Sequence, residues 1–116
     1  MESEKVVTSG TLVVRTRHDH DVRRLALAGE LDLDSAATLE SELTAVLEGA
    51  PGRLLVDMSE LQFIDSSGMR TLFLGIRRAT EGGWTVTVVP GQDVVMRALE
   101  VAGLLDEFPF GQAPGE

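Results

Sequence analysis

The 116-residue chain has no cysteine, which excludes disulfides, zinc ribbons, iron–sulfur clusters and thiol nucleophiles. Lysine is almost as scarce. Lys5 is the only one, in a segment that reads as an N-terminal tail, so neither a Schiff-base lysine nor a Walker lysine is expected in the fold. The histidines are His18 and His20, side by side in one polar stretch with Asp19 and Asp21. That stretch reads as a solvated hairpin turn, because two histidines in a short turn do not close a metal sphere. No Gly-x-Ser-x-Gly elbow, Gly-x-Gly-x-x-Gly or Walker pattern occurs, so hydrolase and dinucleotide chemistry have no motif behind them. No apolar run approaches the ~18 residues of a membrane span. The acidic start Met1-Glu2-Ser3-Glu4 lacks the basic and apolar segments of a secretory leader.

Positive charge is short as well. Ten Lys and Arg stand against nineteen Asp and Glu, a formal net charge of −9. Such a field repels nucleic acid and anionic membranes, and mildly favours a monomer. With 43% hydrophobic and 25% charged residues, the chain has the composition of a folded soluble domain. The expectation is a cytoplasmic, single-domain protein without cofactor or metal, built as a tail (1–10), a domain (11–110) and a second tail (111–116).

Within the domain, short β-like runs at Thr11–Arg15 and Arg23–Ala28 flank the His-Asp turn. Ser35 to Glu48 reads as an amphipathic helix with Leu39, Leu43, Val46 and Leu47 on one face and Glu40, Glu42 and Glu48 away from it. Asp34 or Ser35 is its expected N-cap and Gly49 its stop. Arg53–Asp57 is a continuous apolar run, as in a strand buried on both faces. A second helix carries Met69, Leu72, Phe73 and Ile76 at core spacing and stops at Gly82-Gly83. Trp84–Val88 alternates as a strand. A third helix runs from about Asp93 to Ala102, with Val95, Ala98, Leu99 and Ala102 inward. The order ββαβαβα implies a layered α/β domain: a mixed sheet of four to five strands with helices packed mainly on one face.

The second helix is preceded by Asp65-Ser66-Ser67-Gly68. This turn stands where a strand's end meets a helix N-terminus, with free N–H groups and the positive end of the helix dipole. At ~100° per residue, Ser66 falls nearer the Met69/Phe73 face and suits the cap. Ser67 falls in line with Thr71, Leu74 and Arg78, beside Arg70. An apolar Leu74 flanked by Arg70, Arg77 and Arg78 suggests a docking surface next to a hydroxyl. A plain helix cap with a solvated face is an equal reading of the pattern alone.

Gly29-Glu30-Leu31-Asp32, Leu54-Leu55-Val56-Asp57-Met58-Ser59, Phe63-Ile64-Asp65-Ser66-Ser67-Gly68-Met69 and the late Ala102-Gly103-Leu104 with Phe108 together resemble the STAS family. They are most similar to its bacterial anti-sigma factor antagonists, and the resemblance runs from about Thr11 to Phe108. It implies a switch rather than an enzyme. The unphosphorylated form would bind an anti-sigma factor that is also a serine kinase of the histidine-kinase-like ATPase fold, releasing a sigma factor. Phosphorylation at Ser67, with Ser66 as second choice, would end the complex, and a PP2C-type phosphatase would reset it. The resemblance also implies that Asp32 faces the partner, and Asp34, Arg70, Leu74 and Arg78 join it as partner-binding candidates. An N-terminal capping carboxylate is the alternative for Asp32. Asp65, preceding the phosphosite, would position its hydroxyl or hold the turn, and an Asx turn with no direct role is its alternative. The sequence departs from the family at Arg70, where many members have Gly, which marks a partner surface of altered shape. The alternative function is a non-switching STAS interaction module, either a stressosome-type scaffold or a lipid-transporter accessory subunit.

Overall fold

The computed structural model describes residues 3–112. Its elements are β1 (Ser3–Ser9), β2 (Leu12–Asp19), β3 (Val22–Leu31), α1 (Leu33–Leu47), β4 (Arg53–Ile64), α2 (Ser66–Glu81), β5 (Thr85–Val89), α3 (Asp93–Val101) and a closing 3-10 turn at Leu105–Glu107. The five strands form one sheet in the order β1-β2-β3-β4-β5. The β1–β2 and β2–β3 pairs are antiparallel, and the β3–β4 and β4–β5 pairs are parallel. Both parallel crossovers step in the same direction across the sheet. Right-handed connections therefore set α1 and α2 on the same face, the arrangement expected from the sequence. Their inward residues join Leu25, Leu27, Val56, Met58 and Val88 of the strands and Val95 and Leu99 of α3 in one core.

The N-terminal segment departs from the expectation of a tail. Ser3–Ser9 is an edge strand in register with β2, from Ser3 opposite His18 to Ser9 opposite Leu12. Its side chains are mostly exposed, so hydrophobic patterning carries almost no signal there. Lys5 consequently lies within the fold, and its Nζ sits 3.3 Å from a carboxylate oxygen of Glu42 on α1. Glu42, expected on the solvent side, is 7% exposed because β1 runs alongside that flank of the helix. At the other end, the N–H of Gly111 donates to the Val88 carbonyl at 3.0 Å. The chain is thus still tied to the outer edge of β5 where a tail was expected to begin. The rest of that expected tail, like Met1 and Glu2, lies outside the described residues.

β4 is longer than its apolar run suggests, extending to Ile64. The β3–β4 ladder is irregular between Ala26 and Ala28 and again between Gly29 and Glu30. Each irregularity shifts the inward phase of β4, so that Met58, Leu61 and Ile64 are buried without strict alternation. Gly29, at φ +91°, is required: a Cβ there would collide with the Thr11 carbonyl oxygen. At the opposite end of α3, Ala102 is the helix's exposed C-cap rather than an inward residue.

Candidate functional site

The two parallel strands that feed α1 and α2 end side by side. Leu31 is opposite Ile64 in the ladder, and the Asp65 N–H donates to the Leu31 carbonyl at 3.1 Å. Two strand–helix junctions about thirty residues apart in sequence thus meet at one edge of the molecule, with both helix N-termini exposed there.

Each helix is capped by an aspartate: Asp65 in α2, one residue earlier than expected, and in α1 Asp32, two or three residues before Asp34 or Ser35, in the capping role given as its alternative. Asp32 is the N-cap of α1. Its Oδ1 accepts from the N–H groups of Asp34 at 3.0 Å and Ser35 at 3.2 Å. The Ser35 hydroxyl in return accepts the Asp32 N–H at 3.0 Å, closing a capping box. That exchange explains why Ser35 is 2% exposed: it is a cap element, not a surface hydroxyl. Asp65 is the N-cap of α2 and accepts from the Gly68 N–H at 2.9 Å through Oδ1. Its other oxygen, Oδ2, accepts from the N–H of Leu33, the first residue of α1, at 3.1 Å. One carboxylate therefore serves the first turns of two helices.

With Asp65 as cap, Ser66 and Ser67 are the first two helical residues, and their exposures are the reverse of the geometric expectation. Ser66 is exposed and Ser67 half-buried. Ser67 does share a line with Thr71, Leu74 and Arg78, as expected, and Leu74 and Arg78 on it are exposed, but at Arg78 the line also borders α1. The Arg78 guanidinium donates to Thr44 Oγ1 of α1 at 3.0 Å, and Gly75, near the same flank, lies against Leu43 of α1. Gly68 faces the sheet, where a Cβ would come within 2.8 Å of the Leu31 carbonyl oxygen. Its place in the motif follows from that close approach.

The proposed partner residues separate into two groups. Asp32, Asp34, Asp65, Ser66, Ser67 and Gly68 lie together at the junction. Arg70 follows within the next turn, exposed and without an ion pair among the described residues. Leu74, 45% exposed, stands seven residues beyond Ser67, about 10 Å along the helix axis. Arg78 stands about 16 Å along the axis and is engaged with Thr44. Two apolar side chains that the sequence reading left out join the junction: Leu33 at 72% exposure and Phe63 at 44%. Phe63 was detectable in principle, because a strand continuing to an inward Ile64 turns its preceding residue outward. Leu33 was hidden by placing the start of α1 at Ser35.

The fold and this paired junction define a STAS domain. The family model described as "Mlab, STAS domain" matches residues 14–108, and the chain belongs to that family. Among curated proteins, the anti-sigma-F factor antagonist RsfB of Mycobacterium tuberculosis is 38% identical over 55 residues, 47% of this chain and 45% of RsfB. Among solved structures, an anti-sigma factor antagonist from Mycobacterium paratuberculosis superposes with a TM-score of 0.69 at 23% identity, covering 98% of this chain and 88% of that one. The anti-sigma factor antagonist SpoIIAA in its unphosphorylated form superposes with a TM-score of 0.67 at 17% identity, covering 95% and 89%. No helix among the described residues is long and apolar enough to cross a membrane.

Proposed function

We propose that the chain is a cytoplasmic anti-sigma factor antagonist whose binding is set by phosphorylation of the first turn of α2. The observation that carries this reading is the junction itself: two hydroxyls on an exposed helix start, beside a second helix start, framed by the exposed apolar Leu33 and Phe63. The likeness to antagonists such as RsfB supports the role. The partner is an anti-sigma factor of the histidine-kinase-like ATPase fold acting as serine kinase, and a PP2C-type phosphatase reverses its action.

Ser67 is the proposed acceptor on the family motif, with Ser66, the more exposed hydroxyl, as second choice. A phosphate adds about −1.5 to −2 charges. In the free protein that charge faces water and the N-terminal end of a helix, which tolerates it. In a closed interface shaped around a neutral hydroxyl it is desolvated beside Asp32, Asp34 and Asp65. A hundredfold loss of affinity requires about 2.7 kcal/mol, less than the ~3–5 kcal/mol typical of a buried charge left without its partner. The switch needs no refolding.

The test is intact-mass spectrometry after incubation with ATP and extract of the native source, with Ser66→Ala and Ser67→Ala in parallel. Gain of one phosphate by wild type and Ser66→Ala, but not by Ser67→Ala, is the expected result. Loss in Ser66→Ala alone moves the site by one residue. The family model's description names Mlab rather than an antagonist, which keeps the non-switching interaction module as the second reading. No mass gain, together with stable recovery of a scaffold or transport complex, establishes that reading instead.

A further inference from the structure

We propose that Asp65 is a positioning residue that holds the starts of α1 and α2 together as one preformed recognition surface, an inference that rests on the antagonist reading for its partner. The motif's aspartate has two readings from sequence: orienting a serine, or closing a turn. The geometry assigns it a further task, because its two oxygens are divided between two helices. Oδ1 takes the Gly68 N–H at 2.9 Å and Oδ2 takes the Leu33 N–H at 3.1 Å.

The division matters because the capping box of α1 closes without Asp65. Asp32 accepts from Asp34 and Ser35, and Ser35 accepts from Asp32. The bond from Leu33 to Asp65 lies outside that capping box. What it adds is a cross-link between residues 32 positions apart, at the point where Leu33 is 72% exposed. Leu33 on α1 and Ser66, Ser67 and Arg70 on α2 then present a fixed relative position to a partner. Fixing a surface before contact removes an ordering cost from binding, and the gain falls mainly on the dissociation rate.

Two variants separate this role from simple capping. Asn and Ser are N-caps about as good as Asp, so Asp65→Asn and Asp65→Ser both retain a partner for the Gly68 N–H. Neither reproduces the link. A serine hydroxyl is too short to serve α1 as well, and asparagine has one acceptor oxygen while its NH2 group would meet the Leu33 N–H donor to donor. Both variants should remain folded, with the Leu33 amide exchanging roughly tenfold faster and the Gly68 amide unchanged, as expected for loss of one charge-assisted hydrogen bond. Affinity for the anti-sigma factor should fall by about tenfold, chiefly through dissociation. Asparagine should be the weaker binder of the two despite capping at least as well.

That inversion between cap strength and partner affinity is not produced by a merely structural role. Amide exchange by NMR on the full chain, and surface-binding kinetics with the purified anti-sigma factor, read the two quantities separately. Unchanged Leu33 exchange in both variants overturns the clamp. So does faster exchange with wild-type binding kinetics. If wild type itself does not bind the anti-sigma factor, the antagonist reading fails, while the exchange measurement still decides whether the cross-link exists.

Discussion

Gly68 and Gly75 show how differently two helical glycines respond to the same added methyl. At Gly68 a Cβ would meet Leu31 twice, its Cγ at 2.7 Å and its backbone carbonyl oxygen at 2.8 Å, and also the Ile64 side chain at 3.0 Å. The helix gain of about 1 kcal/mol for Gly→Ala is outweighed there, because a strand end cannot retreat. Gly68→Ala should lower stability by about 1–3 kcal/mol in urea unfolding. At Gly75 the obstacle is the end of the Leu43 side chain, which can change rotamer. Gly75→Ala should fall between neutral and about 1 kcal/mol more stable; equal losses at both sites would remove the distinction. The same scale shows what the sequence could not convey about the serines. Counting ~100° per residue puts Ser67 in line with Thr71, Leu74 and Arg78; Leu74 is exposed as that implies, but the half-burial of Ser67 depends on its tertiary neighbours. Capping by Asp65 in place of Ser66, and by Asp32 in place of Asp34 or Ser35, was within reach of local chemistry, since all are accepted N-caps. Nothing in the local sequence ranks them.

Among the elements, α1, α2 and α3 were legible because each buries one periodic face, and β2, β3 and β5 as short apolar or alternating runs that cover part of each strand. β1 was not. Its seven residues are mostly exposed, and its place in the sheet rests on the backbone ladder to β2, which leaves no hydrophobic period to read. The same omission misplaced Glu42, whose burial and ion pair with Lys5 exist only because β1 passes α1. β1 buries little apolar area, so removing residues 1–10 should leave a folded domain, less stable by about 1–3 kcal/mol for a half-buried Val7 and a few ladder bonds. Denaturant unfolding checks this. Failure to fold would mean that the edge strand organises the sheet instead of extending it. The end of β4 was lost for a different reason: the continuous apolar run ends at Asp57, and beyond it the irregular register spaces Met58, Leu61 and Ile64 without a regular strand period.

For the whole molecule, a net charge of −9 with Asp32, Asp34 and Asp65 at the junction points to a partner surface of opposite sign. Raising salt from about 0.05 to 0.5 M should then slow association by roughly tenfold while leaving dissociation nearly unchanged. An affinity independent of salt would exclude steering. Phosphorylation should leave the core undisturbed, with NMR amide shifts confined to the first turns of α1 and α2 and the ends of β3 and β4. Shifts spread through β1, β2 or α3 would show a global rearrangement in place of a local switch. The shared carboxylate at the junction also makes one residue a common point of failure. The backbone N–H groups of Leu33 and Gly68 hang on one side chain, so a substitution at residue 65 reaches both helix starts at once. Asp32→Ala and Asp65→Ala should show epistasis, costing more together than the sum of their separate effects, because either cap steadies the start of α1 when the other is gone.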